Sequence, residues 1–258
     1  MLDFYRFKHF KDYPHLMHVV STKSSTLPYS FSLALHTGED EESIIQNRKN
    51  LANQLHTNAK LYFIVANQTH SDNIQHIREE KTKGWKNISN AIESCDALIT
   101  NLPNVVLSIL TADCVPILLY DKKNHAIAAI HAGWKGTKAE ITKKTVQRME
   151  DTFGSNPNDI IAGIAPSIGK CCYEVGEDVA KHFFHLPQSY TQINTKYMLD
   201  LPYINKKQLL KAGLQEQNIE MSNICTACNT KRFFSYRKEK GCSGRFMSMI
   251  ALKDKNEY

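Results

Sequence analysis

The sequence lacks the features that mark several large classes of protein. No stretch approaches the roughly 20 apolar residues that a membrane-spanning helix needs. Neither a G-x-x-x-x-G-K-[ST] loop nor a G-x-G-x-x-G fingerprint occurs, so P-loop and Rossmann nucleotide binding have no support. Internal repeats, low-complexity tracts and linkers rich in Pro, Gly or Ser are also missing. These absences favour an ordinary globular protein.

Arginine is scarce, and the positive charge that is present is dispersed. Lys and Arg number 32 against 26 Asp and Glu, which gives a net charge of +6 spread along the chain. Scattered charge is typical of a solvated surface, so we expect no nucleic-acid partner and consider small anionic substrates more suitable. The first ten residues carry Asp3, Arg6 and Lys8 and lack the apolar run of a signal peptide. We therefore expect a cytoplasmic protein with no membrane partner.

Cysteine occurs seven times, and an odd number in an intracellular-looking chain favours reduced thiols over a disulfide framework. Cys225-x-x-Cys228 is a single CxxC with no second pair at zinc-finger spacing. We interpret it as structural or incidental, and we interpret the vicinal pair Cys171-Cys172 in the same way.

The length of 258 residues lies near the upper size for one hydrophobic core, so we predict a single domain spanning residues 1–258. Helices are predicted over 40–55, 139–153, 175–184 and 203–217. Short apolar runs predict strands over 61–66, 97–100, 105–110, 115–120, 126–131, 159–165 and 245–252. Strands in runs between helices predict an α+β fold with a mixed sheet.

Three ligand-type side chains stand in three short motifs at the ends of predicted strands. His70 lies in a loop, Cys114 precedes one strand, and His131 ends the next strand. The turn over residues 121–124 predicts a hairpin that makes Cys114 and His131 neighbours. Two imidazoles and one thiolate suit zinc, and three protein ligands leave a coordination position open, as in a catalytic site.

Other residues near these motifs have two possible roles each. Asp113 is a candidate general base or proton relay, or a turn-forming aspartate. Gln68 could position substrate or a proton in catalysis, or orient a metal ligand. The segment 163–169, with Gly163 and Ser167, could line an anion pocket or be an ordinary turn.

Arginines suit phosphate-sized anions because the guanidinium group can donate two parallel hydrogen bonds. Arg48, Arg237 and Arg245 lie within patterned motifs, and we predict that Arg48, Arg237 or the turn over residues 163–169 holds phosphate.

Together these motifs resemble the YfiH/laccase-domain family, known also as polyphenol oxidase-like proteins and as purine nucleoside phosphorylases. The strongest matches are the motifs Asn67-Gln68-Thr69-His70, Thr111-Ala112-Asp113-Cys114-Val115-Pro116 and His131-Ala132-Gly133-Trp134-Lys135-Gly136. The resemblance implies metal binding by His70, Cys114 and His131, and an α+β fold of layered helices around packed mixed sheets. It also implies phosphorolysis of adenosine, inosine and S-methyl-5'-thioadenosine, with adenosine deamination as a second activity.

Two other readings of the same residues remain open. Cys114 and His131 could form a thiolate–imidazole pair for hydrolysis or acyl transfer. Copper-dependent polyphenol oxidation is the other, although blue-copper sites add an axial Met and none lies in the three ligand motifs. The sequence leaves the oligomeric state undetermined.

Overall fold

A computed structural model describes residues 2–55, 59–241 and 244–254. Its α-helices are α1 (Glu41–Asn53), α2 (Trp134–Lys138), α3 (Ile141–Phe153), α4 (Glu177–Ala180) and α5 (Leu201–Lys211). Its strands are β1 (Phe4–Tyr5), β2 (Leu16–Ser21), β3 (Tyr62–Val65), β4 (Ile74–His76), β5 (Ala97–Thr100), β6 (Val105–Thr111), β7 (Val115–Asp121), β8 (Ala126–Ala132), β9 (Ile160–Ile164), β10 (Glu174–Val175), β11 (Tyr190–Ile193), β12 (Lys196–Leu199), β13 (Ile219–Met221) and β14 (Phe246–Leu252).

The strands form three sheets with mixed or antiparallel pairing. A five-stranded sheet has the order β1-β2-β14-β6-β3, and a six-stranded sheet has the order β13-β9-β7-β8-β5-β4. Parallel pairs occur at β3–β6, β4–β5 and β13–β9, and the remaining ladders are antiparallel. A small antiparallel sheet has the order β10-β12-β11. The predicted α+β class with packed mixed sheets is confirmed.

The two large sheets pack face to face, and helices cover their outer faces. Along β7, Leu118 and Tyr120 enter the core between the sheets, whereas Ile117 and Leu119 enter the core under α3 and α5. This alternation follows from the period of two along a strand. Because both faces are buried, β7 reads in the sequence as a continuous apolar run. On the far side, Leu51 of α1 packs against the outer face of the five-stranded sheet.

The predicted hairpin is confirmed. β7 and β8 pair antiparallel over their whole length, with Pro116 opposite His131. Asp121 Oδ1 accepts hydrogen bonds from the backbone N–H groups of Lys123 and Asn124, which closes the turn. Cys114 thus lies one residue before the start of this ladder, beside the end that carries His131.

Two helix ends lie where the local sequence places them, and two predicted helices have other bounds. The side chain of Asp40 accepts from the N–H of Ser43 at the start of α1, and Gly154 ends α3 with a φ of 68°. The predicted helix over 139–153 instead begins at Ile141, directly after Glu140 with its φ of 58°, and the separate helix α2 precedes it. The predicted helix over 175–184 is shorter, with only α4 followed by a 3-10 turn.

No helix of the described residues is both long enough and apolar enough to cross a membrane.

Gly163 lies inside β9 and not in a loop. A Cβ at this position would lie 2.6–2.7 Å from ring atoms of Phe7, which packs over the sheet. We expect Gly163→Ala to lower the free energy of unfolding by about 1–3 kcal/mol, because the added methyl overpacks a dense core. Urea denaturation measures this loss. A Phe7→Leu background serves as the control, and an equal loss there would contradict the proposed clash.

Candidate metal centre

The three predicted ligands meet at one edge of the two packed sheets. The loop after β3 carries His70, the short connection from β6 to β7 carries Cys114, and β8 carries His131. Their ligand atoms all lie within 4.8 Å of one another. The Cys114 Sγ and His70 Nε2 atoms are 3.8 Å apart, and the two imidazole ring centres are 4.8 Å apart. The structure therefore brings together the residues that the sequence motifs singled out.

Asp96 is a buried carboxylate that organises this site, and the sequence analysis missed it. Its Oδ1 lies 2.7 Å from His131 Nδ1 and accepts from the N–H of His70 at 3.0 Å. Its Oδ2 accepts from the N–H and the hydroxyl of Ser71. This pairing at Nδ1 leaves Nε2 of His131 as the atom for a metal, an arrangement common in metal sites. The only sequence signal was an acidic residue directly before the buried strand β5.

The charges of the centre favour a thiolate. Burial alone would raise the pKa of the Cys114 thiol, but the charge of His131 and hydrogen bonds from both histidines lower it below its usual range. Burial likewise opposes the charged form of Asp96, yet hydrogen bonds from His131 and Ser71 lower its pKa to about 2. The thiolate is the form of cysteine that binds metals.

Gly133 allows the ligands to approach each other. A Cβ at this position would lie 2.8 Å from Cδ2 of His70 and 3.1 Å from Sγ of Cys114. Any larger side chain would displace at least one ligand. This close approach explains the glycine in the motif His131-Ala132-Gly133-Trp134.

The site opens into a cavity of about 540 Å³, which is within the usual range for small-molecule sites. The wall combines imidazole, aromatic and guanidinium groups with the three ligands. It is formed by His36, Gln68, His70, Leu110, Thr111, Ala112, Asp113, Cys114, His131, Trp134, Tyr173, Tyr236, Arg237 and Arg245. The sequence analysis noted Arg245 in a patterned motif but assigned no role in the site to Arg245, His36, Tyr173 or Tyr236, because they come from distant segments with no common spacing.

Two arginines in this wall lie over aromatic rings. The guanidinium carbon of Arg237 is 5.1 Å from the ring centre of Tyr173, and that of Arg245 is 5.7 Å from the ring centre of Tyr236. Arg237 also donates through Nη1 to the carbonyl of Glu174. The cavity therefore presents two positive groups together with flat apolar surfaces.

Asp113 and Gln68 lie at the site, but their polar atoms are engaged by the protein. Asp113 Oδ1 accepts from the hydroxyl of Thr226, and Oδ2 accepts from the N–H of Arg237. The Gln68 amide makes two hydrogen bonds to the backbone of Leu110. Asp113 also adopts a φ of 91° in the connection before β7. Both side chains therefore fix loops around the centre.

Three predicted anion-binding residues lie elsewhere. Arg48 is fully buried and donates to the carbonyls of Leu33, Gly84 and Trp85, so its guanidinium holds loops together. Gly163 lies within β9, as described above. Ser167 is buried and forms a β-bridge with Cys225, away from the cavity. These three residues do not belong to the wall of the cavity, and of the predicted anion-binding residues Arg237 lines it.

The donor set of the centre fits a borderline transition metal. Two imidazole nitrogens and one thiolate suit Zn²⁺, and this set also appears in copper sites. A blue-copper site adds a weak axial Met or Gln ligand. No Met belongs to the described wall of the cavity, and the Gln68 amide is occupied by Leu110. The residues present therefore fit zinc better than blue copper.

The fold and the site define an α+β protein with a candidate His₂Cys metal site that opens into a cavity. The chain belongs to the family described as multi-copper polyphenol oxidoreductase laccase, whose model matches residues 16–253. It is 36% identical over 251 residues to a protein of Bacteroides thetaiotaomicron named purine nucleoside phosphorylase, covering 93% of each chain. It is 34% identical over 229 residues to adenosine deaminase RL5 from an unknown prokaryotic organism, covering 86% of this chain and 87% of that one.

The fold of this family is also seen in solved structures. The crystal structure of the hypothetical protein YfiH from Bacillus licheniformis superposes with a TM-score of 0.89 at 34% identity. The match covers 94% of this chain and 95% of the other. The family resemblance predicted from the motifs is confirmed, and this chain, like its named relatives, is an enzyme.

The Asp96–His131 hydrogen bond predicts how tightly a metal binds. We expect Asp96→Asn to weaken affinity for Zn²⁺ by about 10–100-fold, because the amide no longer fixes the ring or raises its basicity. Competition with a chromophoric chelator measures this affinity. Asp72→Asn, which removes an exposed partner of Lys144, is the control. Unchanged affinity in the Asp96 variant would reject this role.

Proposed function

We propose that this enzyme is a purine nucleoside phosphorylase that acts on adenosine, inosine and S-methyl-5'-thioadenosine. With phosphate as the second substrate, it would release the base and ribose 1-phosphate or methylthioribose 1-phosphate. We further propose a zinc-dependent adenosine deaminase activity at the same site. One observation carries the proposal, namely that a single cavity holds the His₂Cys centre, two arginines and several aromatic rings. The names of the relatives support the same activities.

Zinc would be held by His70, Cys114 and His131. It would supply Lewis acidity at the coordination position that the three protein ligands leave for a reactant. Asp96 orients the ring of His131, and its negative charge offsets part of the positive charge of a bound cation. Copper would be held by the same three residues. We favour zinc because the described wall of the cavity offers no Met and no free Gln amide as an axial copper ligand.

The aromatic rings of the wall suit a purine base. The side chain of Tyr236 is 53% exposed, so its ring offers a flat apolar face for stacking. Trp134 and Tyr173 border the same cavity from other segments. A planar base could therefore enter between walls that need no rearrangement of the buried core.

Arg237 and Arg245 are the proposed phosphate anchors. Phosphorolysis needs a phosphate oxygen to form a bond to C1' of the sugar while the bond from C1' to the base breaks. Two guanidinium groups on one wall can neutralise phosphate and hold it beside the sugar carbon. The electron pair of the broken bond leaves with the base, which takes up the proton that hydrogen phosphate gives up on forming the sugar phosphate.

His36 is our candidate for proton transfer. Its burial, followed by the charges of Arg245 and Arg48, lowers the pKa of its imidazole, so the ring is neutral at pH 7. In deamination, a neutral imidazole at the cavity wall can accept a proton from the attacking water and pass it to the departing ammonia. It replaces Asp113 and Gln68 in this role, since the oxygens of Asp113 and the amide of Gln68 are bonded within the protein.

Substitution of the two arginines tests the phosphorylase proposal. We expect Arg237→Gln with Arg245→Gln to raise the KM for phosphate by about 10–100-fold, because charge-assisted hydrogen bonds are lost. Ribose 1-phosphate release at varied phosphate concentrations gives this constant. Arg232→Gln, which breaks an exposed pair with Asp3, is the matched control. An unchanged KM for phosphate in the double variant would show that Arg237 and Arg245 do not hold phosphate.

Substitution of Cys114 tests the deaminase proposal. We expect Cys114→Ala to lose the metal of the centre and the conversion of adenosine to inosine together. Metal content and ammonia release are the two readouts, and Cys95→Ala is the control because that buried thiol lies outside the site. A Cys114 variant that keeps both metal and deamination would contradict the scheme.

A thiolate–imidazole pair in the metal-free protein supports one alternative. Cys114 and His131 favour their charged forms when paired, as nucleophile–base pairs do in hydrolases and acyltransferases. Metal removal separates the two proposals. Ester or thioester turnover that rises in the chelated protein would favour the Cys–His reaction, whereas loss of nucleoside turnover would favour the metal enzyme.

We also propose a cytoplasmic location and one domain over residues 1–258. The six cysteines in the described part of the chain are all free thiols, which suits a reducing compartment. Cys242 lies outside the described residues.

A further inference from the structure

A second group of ligand-type side chains lies outside the cavity wall. Cys171 and Cys172 follow the turn after β9, and Cys225 and Cys228 lie in the loop after β13. The sulfur atoms of all four lie within 4.8 Å of one another. The sequence analysis interpreted each pair as structural or incidental, and the fold places both pairs at one point.

The sheet topology accounts for this meeting. β13 pairs parallel with β9, so the two strands end at the same edge of the six-stranded sheet. A β-bridge between Ser167 and Cys225 continues the pairing into the two loops. Segments about fifty residues apart in sequence are thereby held side by side without any bond between the sulfurs.

The spacing of the sulfurs matches four ligands around one cation. Sγ of Cys228 lies 3.7 Å from that of Cys171 and 3.4 Å from that of Cys172. Tetrahedral zinc with bonds of about 2.3 Å to sulfur places its ligands about 3.8 Å apart. A disulfide instead requires about 2.05 Å between sulfurs. The four thiols are therefore arranged as a coordination shell.

The surrounding backbone supports this shell. The N–H of Gly169 donates to Sγ of Cys225 at 3.2 Å, as backbone donors commonly do toward metal-bound thiolates. A Cβ on Gly169 would lie 3.3 Å from Cβ of Cys225 and 3.5 Å from Sγ of Cys171, so a larger residue would crowd the cluster. Asn229 donates to the carbonyl of Cys225 and fixes the second ligand loop.

We propose that Cys171, Cys172, Cys225 and Cys228 form a second metal site, a closed four-thiolate zinc site with a structural role. Four protein ligands leave no position for a reactant, in contrast to the His₂Cys centre. The inference does not depend on the nucleoside chemistry, since it rests on the sulfur geometry alone.

The two ligand loops both continue to the cavity. Tyr173, which directly follows Cys172, lines the cavity under the guanidinium of Arg237. Thr226, between the other two cysteines, donates to the Asp113 carboxylate next to Cys114. A cation at the four-thiolate site would thus fix both loops, and through them one wall of the cavity.

Metal stoichiometry tests the proposal on the whole protein purified without added metal. We expect two zinc ions per chain in the wild type, one in Cys171→Ser with Cys228→Ser, and one in His131→Ala. Combining the three substitutions should leave none. Cys95→Ser is the matched control and should keep two. Wild-type stoichiometry in the Cys171/Cys228 variant would overturn the site.

Cobalt binding to the Cys114→Ala protein provides an independent test that keeps all four thiols. Without Cys114, the His₂Cys centre has no thiol. Among the described residues, a thiolate-to-metal band would then report on the four clustered cysteines. After a chelator has removed the resident zinc under reducing conditions, we expect one equivalent of Co²⁺ to produce an intense thiolate-to-metal charge-transfer band. Absence of that band would reject the site. So would an intact mass, measured without reductant, that is lower by two hydrogens and restored by dithiothreitol, because it would identify a disulfide.

Discussion

One buried carboxylate holds the candidate metal centre together. Asp96 contacts the ring of His131 on β8 and the backbone of His70 and Ser71 in the loop after β3. A buried charge is costly unless it is fully hydrogen-bonded, and each of these contacts offsets part of that cost. The same contacts set the tautomer of His131 and the position of the His70 loop. The ligand geometry therefore follows from the need to satisfy one carboxylate.

A second carboxylate plays a comparable role on the other side of Cys114. Asp113 receives hydrogen bonds from Thr226 and from the backbone of Arg237. It thereby links the connection between β6 and β7 to the long loop that ends before β14. Two aspartates that lie shortly before strands thus hold the loops that carry His70 and Cys114, which have no regular secondary structure of their own. Neither side chain needs to react for the cavity to depend on it.

The sequence was informative where a signal was local. Continuous apolar runs predicted β7 and β8, their turn predicted the hairpin, and short motifs identified His70, Cys114 and His131. Roles that depend on distant partners were not accessible. The motif around Arg48 suggested a ligand-binding residue. Its guanidinium instead donates hydrogen bonds to three backbone carbonyls of the protein. The clustering of the four cysteines could not be predicted for the same reason, because the β9–β13 pairing that brings them together is not visible in the sequence.

The three ligands of the centre belong to different layers of the protein. His70 follows a strand of the five-stranded sheet, His131 lies in the six-stranded sheet, and Cys114 stands in the crossing between them. A cation bound to all three would cross-link the two packed sheets. Sliding of one sheet over the other would then stretch metal–ligand bonds, so the chemistry of the centre and the mechanical cohesion of the fold share the same three atoms.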